Sequence, residues 1–167
     1  SLNTAFSSEG SFIHIPKNVQ VDKPIQVIYF STGKNESVFY QPRNLIIVGE
    51  NSQVEIIERH QSLSENSVLV NSVSEIYCNV RSVVKHYKIQ NDKTNASLID
   101  NTFVSQERNS DYSLHTFSLG GELTRNNLSI LQNGERIEST INGITIIGAN
   151  QHVDHNTLIH HKKPNCN

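Results

Sequence analysis

Residues 44–48 read Asn-Leu-Ile-Ile-Val and residues 143–148 read Gly-Ile-Thr-Ile-Ile-Gly. Neither stretch alternates. A strand in an antiparallel sandwich with one wet face shows apolar and polar residues in turn, so strands this continuously apolar need cover on both faces. A parallel stack provides it when its inner face lines a core and its outer face packs on a second layer or a partner. The corners of such a stack must be tight and polar. Gly49-Glu50-Asn51-Ser52, Asn91-Asp92-Lys93, Gly120-Gly121, Asn133-Gly134 and Asn142-Gly143 all carry turn chemistry, and Pro16, Pro24 and Pro42 stand at segment ends, where a missing donor does little harm.

Working outward, short apolar or alternating segments predict strands at 12–15, 25–30, 44–48, 53–58, 68–71, 75–80, 82–90, 97–104, 112–118, 127–131, 135–141, 145–148 and 156–160. No segment holds a period of 3.6. Composition agrees: 41 Val, Ile and Thr against 3 Ala disfavour helix, because β-branched side chains lose χ1 freedom against the preceding turn and fit a pleated surface instead. Twenty Asn and 20 Ser supply corners, since Asn bonds locally and tolerates the left-handed backbone region. Periodicity alone leaves sandwich, barrel and solenoid open; the continuous apolar runs lean toward the solenoid. No strict internal repeat is visible, and a degenerate β-helix hides its period in unequal loops.

The 167 residues bound one domain with a real core, or two small ones. A net charge of −2 favours neither nucleic acid nor anionic lipid. The longest apolar runs span four residues, far short of the roughly 20 that cross a bilayer as helix, and Ser-Leu-Asn-Thr-Ala at the start has no signal-peptide character. Cys78 and Cys166 form neither a disulfide framework nor a zinc motif, so reduced thiols in a cytoplasmic setting are expected.

Two stretches carry a resemblance. Ser8-Glu-Gly-Ser-Phe-Ile-His-Ile-Pro-Lys-Asn-Val-Gln-Val-Asp-Lys-Pro-Ile-Gln followed by Pro42-Arg-Asn-Leu-Ile-Ile-Val-Gly-Glu-Asn-Ser-Gln-Val-Glu-Ile-Ile-Glu resembles the opening of the SufB/SufD core. Leu119-Gly-Gly-Glu-Leu-Thr-Arg-Asn-Asn-Leu, Leu131-Gln-Asn-Gly-Glu, Asn142-Gly, Gln151-His-Val-Asp-His-Asn-Thr and the run from His160 to Asn167 follow in the order and spacing of that family, so the anchors cover nearly the whole chain. The resemblance implies an all-β, right-handed parallel β-helix, a single-layer solenoid forming one partial domain over 1–167 and truncated before the family's C-terminal helical region. It also implies partnership with SufB-like and SufC-like proteins in iron-sulfur cluster assembly, with ATP hydrolysis belonging to the SufC-like subunit. A β-helix cut at this point exposes an unpaired edge, which invites homodimerisation of the isolated fragment.

Within that family, SufB-like chains place a sulfur-accepting Cys after the strand corresponding to residues 54–58. Here the equivalent position is approximately His60, and an imidazole cannot carry a persulfide, which needs a nucleophilic thiolate. The reading is therefore SufD-like. The functional His of SufD-like proteins lies in a Ser-His-Gly segment that this chain lacks, so no His here inherits that role.

The residue clusters themselves offer little chemistry. His152 and Asp154 share a strand face and His155 is close in sequence, a donor set that fits no closed metal motif; solvated or rung-bonded side chains are the better expectation. Cys166 follows Lys162 and Lys163, cations that favour a thiolate, but a Cys at this corner recurs in SufD-like chains without an established sulfur-carrying role, and simple exposure is the better expectation. Cys78 reads as buried packing beside Ile76 and Val80, and His115, on a face with Phe117 and Leu119, as a core or interlayer residue. No phosphate loop, nucleophile elbow or His-x-His pair occurs.

No catalytic, cofactor-binding or metal residues are therefore expected. The expected function is a non-catalytic scaffold without a cofactor of its own, an iron-sulfur cluster forming only in the full complex, with no nucleic-acid or membrane partner. The alternative is a polysaccharide-acting β-helix lyase or hydrolase. It needs a groove of paired acids, and Glu55 and Glu58, like Glu135 and Glu138, fall on opposite strand faces.

Overall fold

The computed structural model describes residues 2–7, 9–32 and 36–166. After a single helical turn, α1 (Leu2–Phe6), every regular element is a strand. In chain order these are β1 (Phe12–Ile15), β2 (Ile25–Ser31), β3 (Val38–Tyr40), β4 (Arg43–Val48), β5 (Gln53–Ser62), β6 (Val68–Cys78), β7 (Val83–Gln90), β8 (Ala96–Gln106), β9 (Asp111–Ser118), β10 (Leu123–Gln132), β11 (Glu138–Thr145) and β12 (His152–His161). They alternate between two sheets. One runs β1-β4-β6-β8-β10-β12, with β3 also on β6, and the other runs β2-β5-β7-β9-β11. Every pairing is parallel. The chain is a parallel β-solenoid of about five turns, as the continuous apolar runs required.

Stacking in register turns single residues into ladders. Ile13, Ile46, Ile76, Val104, Ile130 and Ile159 lie opposite one another on successive turns of the first sheet, spaced by roughly 30 residues. Ile46, Ile76, Val104 and Ile130 are buried together with Val54, Ile56, Val84, Tyr112 and Leu114 of the second sheet, forming the main apolar core between the sheets. Alternate residues of each strand face outward, and Phe12, Tyr77, Phe103 and Leu158 leave an exposed apolar strip along the first sheet.

The corner leading from the first sheet to the second repeats with one left-handed residue per turn: Asn18, Asn51, Arg81, Asn109, Arg136 and Asn165, with φ between 54° and 60°. The backbone amides of Asn18, Asn51, Arg81 and Asn109 bond to the next turn, Asn51 N to Val80 O at 3.0 Å and Arg81 N to Arg108 O at 3.1 Å. Asn serves this conformation because its short polar side chain offsets the Cβ clash. The following residue turns inward. Ser52, Ser82 and Ser110 are buried there, and the hydroxyls of Ser82 and Ser110 donate to carbonyls three residues back.

The opposite corner is closed by a contact between main chains. A Cβ on Gly120 would sit 2.4 Å from the carbonyl oxygen of Asp92 on the turn beneath, while Gly121 N donates to that same oxygen at 3.0 Å. Only a residue without a side chain lets the two turns approach so closely.

Four sequence expectations change. The strand expected at 145–148 is absent, because β11 ends at Thr145 and residues 146–148 lead into the corner before β12. Asn142-Gly143, read as a turn, lies inside β11, where Gly143 stacks on Thr116; the parallel register holds the pair extended. Residues 68–71 and 75–80 are one strand, β6, because the parallel register runs unbroken through Ser72 and Ser74, which point into the interior, where Ser74 Oγ bonds Glu58 and Asn44. The short α1 and β3 carry too few residues for a periodic signal. α1 is held by its buried Asn3, whose amide donates to Pro42 O at 3.1 Å and Asn71 O at 2.8 Å. No helix among the described residues is long and apolar enough to cross a membrane.

Candidate functional site

The interior is not uniformly apolar. In β5 the inward residues run Val54, Ile56, Glu58, His60; in β7 they run Val84, His86, Lys88, Gln90; in β8, Leu98, Asp100, Thr102, Val104. Half of each strand therefore lines an apolar core and half lines a polar one. Glu58 (1% exposed), His86 (0%), Asp100 (4%), His60 (4%) and Lys88 (8%) are sealed from solvent.

Charge in such a place must be paired. The Lys88 ammonium donates to Asp100 Oδ2 at 2.5 Å and to Thr102 Oγ1 at 2.6 Å, and stands 3.2 Å from Glu58 Oε2. Glu58 Oε1 accepts from Ser74 Oγ at 3.0 Å and from Asn44 Nδ2 at 3.3 Å. Asn44 Oδ1 in turn accepts from the Tyr29 hydroxyl at 2.6 Å. His86 Nε2 faces Glu58 Oε2 at 3.6 Å, an electrostatic contact beyond hydrogen-bond reach. Its Nδ1 lies 2.9 Å from the Tyr112 hydroxyl.

Burial alone would push the Glu58 carboxyl up; Lys88 and then His86 outweigh it and hold the group well below the usual carboxylate range. Burial likewise works against the Lys88 ammonium, and Asp100 with Glu58 overcomes it, leaving its pKa raised. Lys88 is a locked cation and not a nucleophile. The Tyr29 phenol is pushed up to about 12, first by burial and then by Glu58.

His60 is different. It stacks on Tyr29 with ring centroids 4.7 Å apart, and neither ring nitrogen has a hydrogen-bond partner. Burial lowers its pKa against the opposing pull of Asp100 and Glu58. The folded chain holds His60 neutral, whereas the unfolded chain protonates it near the ordinary value of 6.5. The contribution is therefore complete above that value and is lost as pH falls below it, at up to about 1.4 kcal/mol per pH unit. Urea midpoints on either side of pH 6.5 should show stability dropping in acid, with a shallower drop in His60→Gln. Equal slopes for the two proteins would remove His60 from this account.

The residues singled out in the sequence do not assemble. His152 and Asp154 point outward from β12, where Asp154 meets Arg125 at 3.4 Å. His155 points the opposite way, opposite Asn126 in register, and approaches Thr145 Oγ1 at 3.1 Å. It helps line an open depression at the last turn with Asn126, Asn142 and Thr145. Among the described residues no group of three His, Cys, Asp or Glu is placed to hold a metal ion. Cys166 occupies the inward corner position that Ser52, Ser82 and Ser110 fill on earlier turns, its thiol donating to Gly134 O at 3.3 Å and Lys163 O at 3.5 Å; that is a structural place, and Asn167 beyond it lies outside the described residues. Cys78 is buried as expected, and burial pushes its thiol up. His115 lies on the outer face of the second sheet, stacked on Tyr87 at 5.0 Å, and not in the core.

The sequence that builds this solenoid matches a known family along nearly its whole length. The SufBD core domain of iron-sulfur cluster assembly matches residues 29–167, and the SufBD N-terminal region matches residues 1–27. The chain belongs to the SufB/SufD family. Among SufBD proteins, an iron-sulfur cluster assembly SufBD family protein of Synechocystis is 30% identical over 167 residues, covering 95% of this chain and 37% of that protein. One from Staphylococcus epidermidis is 31% identical over 168 residues, covering 99% of this chain and 35% of its own length. The chloroplastic protein ABCI7 of Arabidopsis thaliana is 31% identical over 140 residues, 80% of this chain and 30% of that one. The chain thus spans about a third of the length of the curated relatives it matches.

Proposed function

We propose that this SufB/SufD chain is part of a SufD-like scaffold subunit: it pairs with a SufB-like protein and, through it, works with a SufC-like ATPase to assemble iron-sulfur clusters in the cytoplasm. It contributes no catalytic group and no cofactor, and the cluster is cargo of the assembled complex. The observation that carries this reading is the interior at His60. Where SufB-like chains resemble one another in a reactive Cys, this chain holds a buried, unpartnered imidazole, and the nearby interior offers a lysine tied to two carboxylates. Sulfur acceptance has no thiolate to use there, since Cys78 is buried with its thiol pushed up.

A sugar-acting enzyme has nothing to support it. Of the acids, Glu58 and Asp100 are sealed and bridged by Lys88, while Glu55 and Glu75 pair with Lys85 and Arg43 on the outer faces. The scaffold reading rests on a rigid flank of stacked parallel strands, along which Phe12, Tyr77 and Phe103 stay exposed for a partner to cover. Coexpression with a SufB-like protein should yield a complex that copurifies through gel filtration and accumulates clusters, while the protein alone hydrolyses no ATP. Separate elution of the two proteins sinks the proposal.

A further inference from the structure

The chain has a net charge of −2, but the two corners of the solenoid differ in sign. The corner marked by the left-handed residues carries Lys17, Arg81, Arg108, Arg136, Lys162 and Lys163, all exposed. Against these six stand Glu50, Glu107 and Glu135. Only Arg81 is spent in an ion pair, with Glu50 at 2.5 Å. The other five cations join none among the described residues. The opposite corner presents Glu36, Glu65 and Glu122, and its described lysine, Lys93, is already paired with Glu65.

The backbone adds a second, independent observation. Four of the six left-handed corner positions are Asn, the residue that conformation favours, but on two turns it is Arg, at φ 56° (Arg81) and 54° (Arg136). A long side chain in this region is uncommon, and Asn makes the same corner on the adjacent turns. The Arg81 guanidinium bonds Asn51 and Glu50 of the neighbouring turn, whereas that of Arg136 is exposed and joins no ion pair among the described residues. Because turns stack about 4.8 Å apart, Arg108, Arg136 and Lys163, at or within two residues of the left-handed position, bring unpaired cations from three successive turns to one corner.

We infer that this corner is a docking edge for an acidic segment of a partner protein, with carboxylates in a row parallel to the solenoid axis. Residues four apart on a helix face have Cβ atoms about 5–6 Å apart, close to the step between turns. The interleaved glutamates argue against a nucleic-acid backbone, which offers phosphates without a break, and the narrow row has no apolar residues to enter a lipid surface. The inference does not depend on which family partner the protein has.

The test uses a fluorescein-labelled helical peptide with Glu at every fourth position, titrated by anisotropy at low and at physiological salt. Saturable binding is expected at low salt, weakening about tenfold at physiological salt as exposed charges are screened. Arg108→Glu/Arg136→Glu/Lys163→Glu should abolish it, and Lys93→Glu at the opposite corner should leave it unchanged. If the reversed variant loses its β circular dichroism, Arg108→Gln/Arg136→Gln/Lys163→Gln gives the same reading with less repulsion. Absence of binding at low salt overturns the inference, as does full affinity in a folded neutralised variant. Tighter binding of a DNA duplex or of phosphatidylserine vesicles overturns it in favour of a general polyanion. Salt-sensitive self-association in sedimentation, lost on neutralisation, overturns it in favour of a second copy.

Discussion

Lys88→Met should destabilise the fold by about 3–5 kcal/mol, read as a fall in the urea midpoint at neutral pH with an unchanged slope. The substitution keeps the length and apolar stem of the side chain and removes the one cation between Glu58 and Asp100. Two carboxylates then remain in a space that water does not reach, and breaking a buried network by taking away one partner is costly for that reason. Neutralising all three positions as Glu58→Gln/Lys88→Met/Asp100→Asn should recover most of the loss. Gln can still accept from Ser74 and Asn44, which bond the Glu58 carboxylate. A loss under about 1 kcal/mol for the single variant would show that the carboxylates take up protons cheaply, and that the network is not what holds the middle turns together.

Gly120→Ala should cost about 1–3 kcal/mol, the usual range for forcing extra volume into a packed site. The new methyl has no rotamer by which to avoid the Asp92 carbonyl 2.4 Å away, and its neighbour is backbone, which cannot swing aside. Relief requires separating two turns at the very bond, Gly121 N to Asp92 O, that ties them. Loss of amide protection at Gly121 in hydrogen exchange, with protection at Ile76 and Val104 retained, is the expected signature. A midpoint equal to that of the parent protein would mean that the corner shifts freely.

The solenoid was legible in residues 44–48, which form β4 between two parallel neighbours; residues 143–148 bear it out less well, since β11 ends at Thr145 and Ile144, Ile146 and Ile147 are exposed. The corners were legible because Asn and Gly are what left-handed and close-approach positions demand, and Asn51 and Gly120 sit where the turn chemistry put them. The polar interior was missed, although it left a signal. Glu58 and His60 share parity with Val54 and Ile56, and Lys88 and His86 with Val84. Charged residues in step with the buried face of a strand either break it or meet partners inside. What could not be read along one strand is that Lys88 meets an acid from β5 and another from β8, because that depends on the register across the two sheets. The same limit applied to the histidines near residue 152: neighbours in sequence, they part to opposite faces of β12.

Register also fixes how this architecture can change in size. Each circuit of the chain adds one step of about 4.8 Å along the axis, and a corner insertion bulges sideways without altering that step. The separation between two patches on the flank is thus quantised: lengthening it takes a whole extra circuit of roughly 30 residues, so reach in such a molecule grows by duplication of complete circuits and not by gradual drift.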